Sequence, residues 1–384
     1  MKILQINVSE GGSTGHIASA IHRRLLRDGE ESLFLYGRGT NALQTVAGRY
    51  CSALFTRLTG NVGAFCKKET ERFISAIDAF RPDCVHLHNL HGYYVNISKI
   101  LNHLKVAKIP TVITLHDEFL YTGRCAFSGD CVRWQMGCGG CPHKAEYPAV
   151  FSDKTAKLLQ EKKELFSEFP NLSIVSPSKW LARRAKVTYL KEHPISVIPN
   201  GIETDIFRPG ESKLREAYHI TEEHIVFSAA QGLMLPRKGG KHIVALAQAM
   251  PNVRFLLAGA EEGSYPPNVT VLPATSEPER MAELYRGADV FLIASREDNF
   301  PTVCLEAAAC GTPVAGFLSG GTGETVSPDI SRFVPYGDLD ALKHSTEKLF
   351  LLTDKKENAT HARDAEEMYQ AYKILYLAAK SGEN

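Results

Sequence analysis

The chain has 384 residues and a mass of 42.4 kDa, enough for two domains at about 100–200 residues each. Its 44% apolar and 23% charged residues exclude disordered, collagen-like and small disulfide-stapled chains. No stretch reaches the ~18–20 uncharged apolar residues of a membrane-spanning helix. The net charge of +1 conceals an asymmetry, because residues 1–207 carry 26 Lys and Arg against 19 Asp and Glu while the remainder carries 18 against 24. A basic front half joined to an acidic back half points to two domains with different partners.

The opening MKILQINVSEGG lacks the length and cleavage site of a signal peptide and reads as a first strand. With no export signal, the chain is expected in the cytoplasm with its nine cysteines reduced. Further strands are expected at Ser32–Tyr36, Cys84–His88, Thr111–His116, Ser173–Ser176 and Ser196–Pro199. Helices are expected between them at Gly15–Arg27, Lys67–Phe80, Val95–Leu104, Asp153–Phe166 and Lys179–Leu190. After the polar stretch Arg208–Glu223 the alternation restarts, with strands at Ile225–Ala229, Arg254–Ala258, Val269–Leu272, Val290–Ala294 and Pro313–Phe317. Helices intervene at Gly239–Met250, Glu277–Arg286 and Val303–Cys310, and a last helical run, Ala359–Ala379, has no strand after it. Near-continuous Val/Ile/Leu strands alternating with helices mark buried parallel sheets. The fold expected is α/β, two Rossmann-like domains spanning 1–207 and 208–384. Ligands of such sheets bind at the carboxyl ends of the strands, in the cleft between the domains.

Several residues carry chemistry. Gly11 and Gly12 follow the first strand and precede a helix, where glycine lets backbone amides approach a phosphate. The G-G-x-x-G spacing, with Tyr36-Gly37-Arg38 ending the second strand, is not a dinucleotide fingerprint. In ASREDNFPTVCLEAAACGTPV, running from Ala294 to Val314, a strand ends at Ser295 and a polar loop carries Asp298. A helix from near Pro301 then carries Glu306, eight positions on, so that one acid can face a sugar and the other a ribose. His86, His88 and His91 form H-x-H-x-x-H; no carboxylate pattern completes a metal site, and packing is the expected role. Asp338 and Asp340 precede a helix and read as caps. Cys125, Cys131, Cys138 and Cys141 fall within 17 residues of a Cys-rich insertion near 120–145. Their spacing leaves structural zinc, unligated or redox-active thiols, and disulfides all open.

Asp298 and Glu306 with the following E-A-A-A-C-G-T-P-V resemble the acid-x7-Glu signature of the retaining GT-B glycosyltransferases of family four, with Asp298 where Glu is usual. VIPNGIETDIFRP, from Val197, resembles that family's interdomain junction, and Ser319–Val326 its Gly-Gly loop near the donor. Pro236–Gly239 (PRKG) resembles its basic loop, although Leu233 stands after Gly232 where members carry Arg. TLHD, containing His116, resembles the strand end beside the family's reaction centre, and Met368–Leu377 the segment bracing the N-terminal domain. The TLHDxxxxTGRCAF stretch is similar to the colanic acid biosynthesis glycosyltransferases.

The resemblance implies a metal-independent, hexosyltransferase-type enzyme. It would move a sugar from a UDP- or GDP-sugar, with retention, to a glycan or lipid-linked oligosaccharide in bacterial surface polysaccharide synthesis. No cofactor would be required beyond the zinc reading above, and no nucleic acid partner is implied. The implied catalytic residues are His116, Lys238 and Asp298. The donor site would comprise Gly11, Gly12, Arg237, Lys238, Asp298, Asn299, Phe300, Pro301, Thr302 and Glu306. The C-terminal helix 359–380 would pack back on the N-terminal domain. A nucleotide-sugar epimerase or glycosyl phosphorylase on a similar fold, and a non-catalytic nucleotide-sugar-binding subunit, are the alternatives. Two basic and apolar stretches, Ala53–Phe73 and Trp180–Lys191, suit contact with the inner face of the cytoplasmic membrane.

Overall fold

The computed structural model describes residues 1–359 and 363–382. Two compact units form, one from Met1–Pro199 together with the chain from Met368 onward, the other from Asn200–Glu367. The first holds strands β1 (Lys2–Ser9), β2 (Glu31–Arg38), β3 (Cys84–Leu87), β4 (Thr111–Thr114), β5 (Leu172–Ser176) and β6 (Ile195–Val197). Its helices are α1 (Gly12–Arg27), α2 (Val46–Thr59), α3 (Lys67–Phe80), α4 (Ile97–Val106), α5 (Thr155–Phe166) and α6 (Lys179–Ala185). The second holds α7 (Leu214–Ala217), β7 (His224–Ala229), α8 (Gly240–Ala249), β8 (Val253–Ala258), β9 (Val269–Leu272), α9 (Pro278–Gly287) and β10 (Val290–Ile293). It continues with α10 (Thr302–Ala309), β11 (Val314–Phe317), β12 (Ser331–Val334), α11 (Leu339–Leu349) and α12 (Lys355–Asn358). From Met368 the last helix, α13 (Ala365–Ser381), lies in the first unit.

Both sheets are six-stranded and wholly parallel, ordered β2-β1-β3-β4-β5-β6 and β12-β11-β10-β7-β8-β9. Helices cover parallel strands on both faces, which is why runs such as CVHL and VFLI are buried at every position. The strand order reverses between β1 and β3 in the first sheet and between β7 and β10 in the second. At such a reversal the two connections leave on opposite faces of the sheet and open a crevice beyond the carboxyl ends of the strands. The loops after β1, β3, β7 and β10 are therefore the ones the topology makes available for ligands.

The observed elements depart from the sequence reading in several places. The division falls after Pro199 rather than 207, because Ile202 pairs with Asp364 and Asn200 bonds Phe300 inside the second unit. The run expected at Ala359–Ala379 is a helix only from Ala365; residues 360–362 lie outside the described residues. Lys179–Leu190 breaks after Ala185 and resumes as a 3-10 turn at Tyr189–Glu192. The edge strand β12, four residues with Arg332 exposed, had no apolar run to mark it. Asp338 does cap a helix, its carboxylate accepting from the Ala341 amide at 2.9 Å.

Candidate active site

In the second unit three loops meet where β7 and β10 part. Asp298, five residues past the end of β10, is the centre. Its Oδ1 accepts from Arg237 Nη1 and Lys238 Nζ, each at 3.1 Å, and its Oδ2 from Lys238 Nζ at 3.0 Å. Burial works against its charge, but Lys238 and Arg237 outweigh that and hold the carboxyl below the usual range. The loop is built to bring them together. Gly239, directly after Lys238, has φ +73°, and a Cβ there would sit 2.0 Å from the Ala294 carbonyl oxygen at the end of β10. Gly320 has φ +64° and passes the Asp298 carbonyl so closely that a Cβ would sit 2.1 Å from it. The Gly321 amide donates to that same carbonyl at 2.9 Å, and Ser319 Oγ donates to Ser295 O at 2.5 Å.

Glu306 stands one turn into α10. Its Oε2 accepts from the buried Tyr285 hydroxyl of α9 at 3.0 Å. Burial raises its carboxyl above the usual range, opposed by hydrogen bonds from Tyr285 and Thr302. Asn299 and Phe300 are buried; Pro301 caps α10 and Thr302 begins it. Leu233 packs into the core of this unit. No sequence signal marked Tyr285 as a partner of Glu306, because the two belong to neighbouring helices with no shared motif.

In the first unit, Gly11 and Gly12 are exposed at the start of α1, Gly12 with φ +76° and no acidic residue in the first turn. His116, two residues beyond β4, is bonded through Nε2 to Nδ1 of His88 at 3.0 Å. Burial pushes its imidazole down to about 4, with Asp117 opposing and His91 adding to the shift. The expectation that no carboxylate accompanies the histidines was incomplete: Asp117 Oδ2 lies 2.6 Å from His91 Nε2, and the Tyr147 hydroxyl is 3.1 Å from His91 Nδ1. Burial raises the Asp117 carboxyl and His91 pulls it down, the net being a lowered value. The row Gln5, His86, His88, Tyr372 and Tyr376 was not singled out by the sequence as belonging with His116.

The four cysteines of the insertion are free thiols. Burial pushes the Cys125 thiol up to about 12 and raises Cys138 as well. Among the described residues no three His, Cys, Asp or Glu side chains form a group that could hold a metal. As placed, Cys125, Cys131, Cys138 and Cys141 do not fit the zinc reading. Polar side chains order the segment instead. Buried Arg124 donates to the carbonyls of Glu146 (2.9 Å), Pro148 and His143, and buried Glu118 accepts from Tyr121, Ser128 and Arg184.

Two parallel sheets of this order, each with its loops gathered at a switch point, fit the GT-B fold, and the comparisons add the activity. Residues 20–206 match the Glycosyltransferase Family 4 domain and residues 213–367 the Glycosyl transferases group 1 domain. The chain is 28% identical over 338 residues to WcaC of Escherichia coli (strain K12), named for colanic acid biosynthesis, covering 82% of each. It is also 32% identical over 173 residues to D-inositol 3-phosphate glycosyltransferase of Mycobacterium tuberculosis (strain F11), covering 39% of this chain and 35% of that one. Among solved structures, sucrose-phosphate synthase from Thermosynechococcus elongatus superposes with a TM-score of 0.71 at 17% identity, covering 98% of this chain and 99% of that one. Anabaena HepE in complex with UDP-glucose superposes with a TM-score of 0.66, also at 17% identity, covering 98% and 100%. The chain is a GT-B glycosyltransferase.

Proposed function

We propose that the enzyme transfers a sugar from a nucleotide-sugar donor, with retention at the anomeric carbon, to a glycan or lipid-linked oligosaccharide acceptor of bacterial surface polysaccharide. The observation that carries this reading is the Asp298 cluster, two cations on one carboxylate at a sheet's switch point, eight residues ahead of Glu306. The leaving group is a nucleoside diphosphate, so the barrier falls when fixed positive charge meets the charge growing on the β-phosphate. Lys238 and Arg237 supply that charge, and Asp298 holds both in place while offering its carboxylate to sugar hydroxyls. Glu306, anchored by Tyr285 and Thr302, accepts from the ribose. On the first unit, the Gly11 and Gly12 amides are assigned to phosphate oxygens and His116 to the transferred sugar. Front-face attack by the acceptor hydroxyl, with the departing phosphate taking its proton, needs no side-chain nucleophile or metal. The HepE complexes with UDP and UDP-glucose support a uridine donor, and WcaC supports a polysaccharide acceptor.

Contact with an anionic membrane surface is assigned to α2. Of the two stretches singled out in the sequence, Trp180–Lys191 buries Leu181 and Leu190, sets Arg184 over Trp180 and Trp134, and exposes Val187 rather than a row of apolar side chains. Among the described residues no helix is long and apolar enough to cross a membrane.

The reading is tested by incubating the chain with UDP-glucose, other UDP-sugars and GDP-sugars, with and without an acceptor extract. Nucleotide release that rises with acceptor, and a product of unchanged anomeric configuration by NMR, are expected. An inverted product overturns retention, and acceptor-independent isomerisation of the donor overturns transfer.

A further inference from the structure

A row of polar side chains crosses β1, β3 and β4 on one face of the first sheet: Gln5, His86, His88, Thr114 and, just past the strand, His116. This face is closed by α13, whose Tyr372 and Tyr376 are fully buried against it. Each side chain has a partner, although the buried Gln5 Nε2 atom has none. Tyr376 OH lies 2.6 Å from His86 Nδ1, Thr114 Oγ1 lies 2.8 Å from His86 Nε2, and Tyr372 OH lies 2.8 Å from Thr114 Oγ1. His88, 1% exposed, has its Nε2 3.1 Å from Gln5 Oε1 and its Nδ1 3.0 Å from His116 Nε2. The His88 ring is stacked on His116 with centroids 5.3 Å apart and planes 19° apart, and it has His86 at 4.0 Å.

The proton positions follow from these contacts. In the placement that turns Gln5 Oε1 to His88 and leaves Gln5 Nε2 unpartnered, the carboxamide oxygen only accepts, so His88 Nε2 bears the hydrogen. Burial, with His86 and His116 beside it, keeps His88 neutral. A neutral imidazole has one N–H, so His88 Nδ1 is a lone pair and His116 Nε2–H donates to it. His116 is thereby set as the Nε2–H tautomer.

We propose that His88 is a positioning residue for His116, fixing the plane and tautomer of that ring, with Gln5 and the α13-clamped His86 as its backing. The role of His88 in turnover rests on the reading of His116 given above; the positioning itself does not. A side chain held to one orientation before the substrate arrives loses less on reaching the transition state, so the effect falls on kcat rather than on donor binding.

The test uses the full chain with wild type, His88→Leu, His88→Asn, His116→Ala and the His88→Leu/His116→Ala double variant. Long-range 15N–1H NMR at neutral pH is expected to show His116 protonated at Nε2 in the wild type. The signals should become those of mixed tautomers in His88→Leu, with recovery in His88→Asn, whose amide replaces the Nδ1 contact. His116 protonated at Nδ1, or indifferent to His88→Leu, overturns the proposal. With UDP-glucose or the preferred donor, His88→Leu should lower kcat at least tenfold with KM within twofold. The double variant should be no slower than His116→Ala, whereas losses that multiply overturn the proposal. If His116→Ala itself retains full turnover, the reading of His116 fails, while the NMR result still decides the positioning.

Discussion

Arg237 and Lys238 converge on Asp298 from 61 and 60 positions back along the chain, and the proposed chemistry turns on this pairing. Because charge on the β-phosphate grows as the glycosidic bond breaks, Lys238→Ala should lower kcat by more than tenfold while raising the donor KM only modestly. Steady-state kinetics check it, and a normal kcat with a weakened KM would make Lys238 a binding residue only. The depressed Asp298 carboxyl gives the cluster a defined acid limit. A carboxyl lowered on folding contributes stability above its unfolded value of 3.8 and loses it as pH falls through the folded value, so neutral pH leaves the triad intact. Asp298 and Glu306 were legible in the sequence because strand, loop and helix start fix their spacing locally. Tyr285 on Glu306, and Arg237 and Lys238 on Asp298, were not, since those contacts cross 21 and about 60 residues that carry no distance information.

At the scale of elements, α2 is turned inside out. Val46, Tyr50, Leu54 and Leu58 recur every fourth residue, at 67%, 65%, 56% and 51% exposure, with Phe55 beside them at 50%. Ser52 and Thr56, small and polar, face inward instead. Arg49 lies over Tyr50, Arg57 over Phe151, and exposed Lys67 and Lys68 begin the next helix. Basic residues close to an anionic surface contribute roughly 1 kcal/mol each, so the chain should co-sediment with phosphatidylglycerol-containing vesicles. Leu54→Ser with Leu58→Ser should weaken that binding at least fivefold; equal binding to neutral vesicles would refute it. Helix α13 carries the opposite pattern, its tyrosines buried and hydrogen-bonded. Tyr376→Phe leaves His86 Nδ1 without its partner and should cost about 1–3 kcal/mol in urea unfolding. The apolar periodicity of α3, α5 and α9 made those helices visible in the sequence. The same rule misjudged α2, where exposed apolar residues were expected but the helix boundaries were not, and it missed β12, which is too short to show a period.

For the whole molecule, the alternation of buried strands with helices was enough to identify two parallel sheets, because a strand covered on both faces must be apolar at nearly every position. The exact division was not legible, since the pairing of Ile202 with Asp364 joins segments more than 160 residues apart. Stability should carry a distinct alkaline signature. Lys162 is buried with its ammonium bonded to the Phe119 and Thr122 carbonyls, and burial lowers it from 10.5 to about 7. Between those values the unfolded chain binds the proton that the folded chain has lost, so this group's contribution to stability rises with pH across that window, by up to ~1.4 kcal/mol per pH unit. Trp134 and Trp180, the two tryptophans, both report on the first unit. The stability of wild type relative to Lys162→Met, read from their fluorescence in urea, should therefore rise from pH 7 to pH 10; a constant difference would contradict the assignment. The central claim, a nucleotide-sugar enzyme whose donor is gripped at Glu306, is tested most directly by calorimetric titration of UDP and GDP into the full chain and into Glu306→Ala. Hydrogen bonds to a carboxylate contribute about 1.5–3 kcal/mol. The account predicts one nucleotide bound per chain and at least a tenfold loss of affinity in the variant. Binding of neither nucleotide, or undiminished affinity in Glu306→Ala, would contradict it.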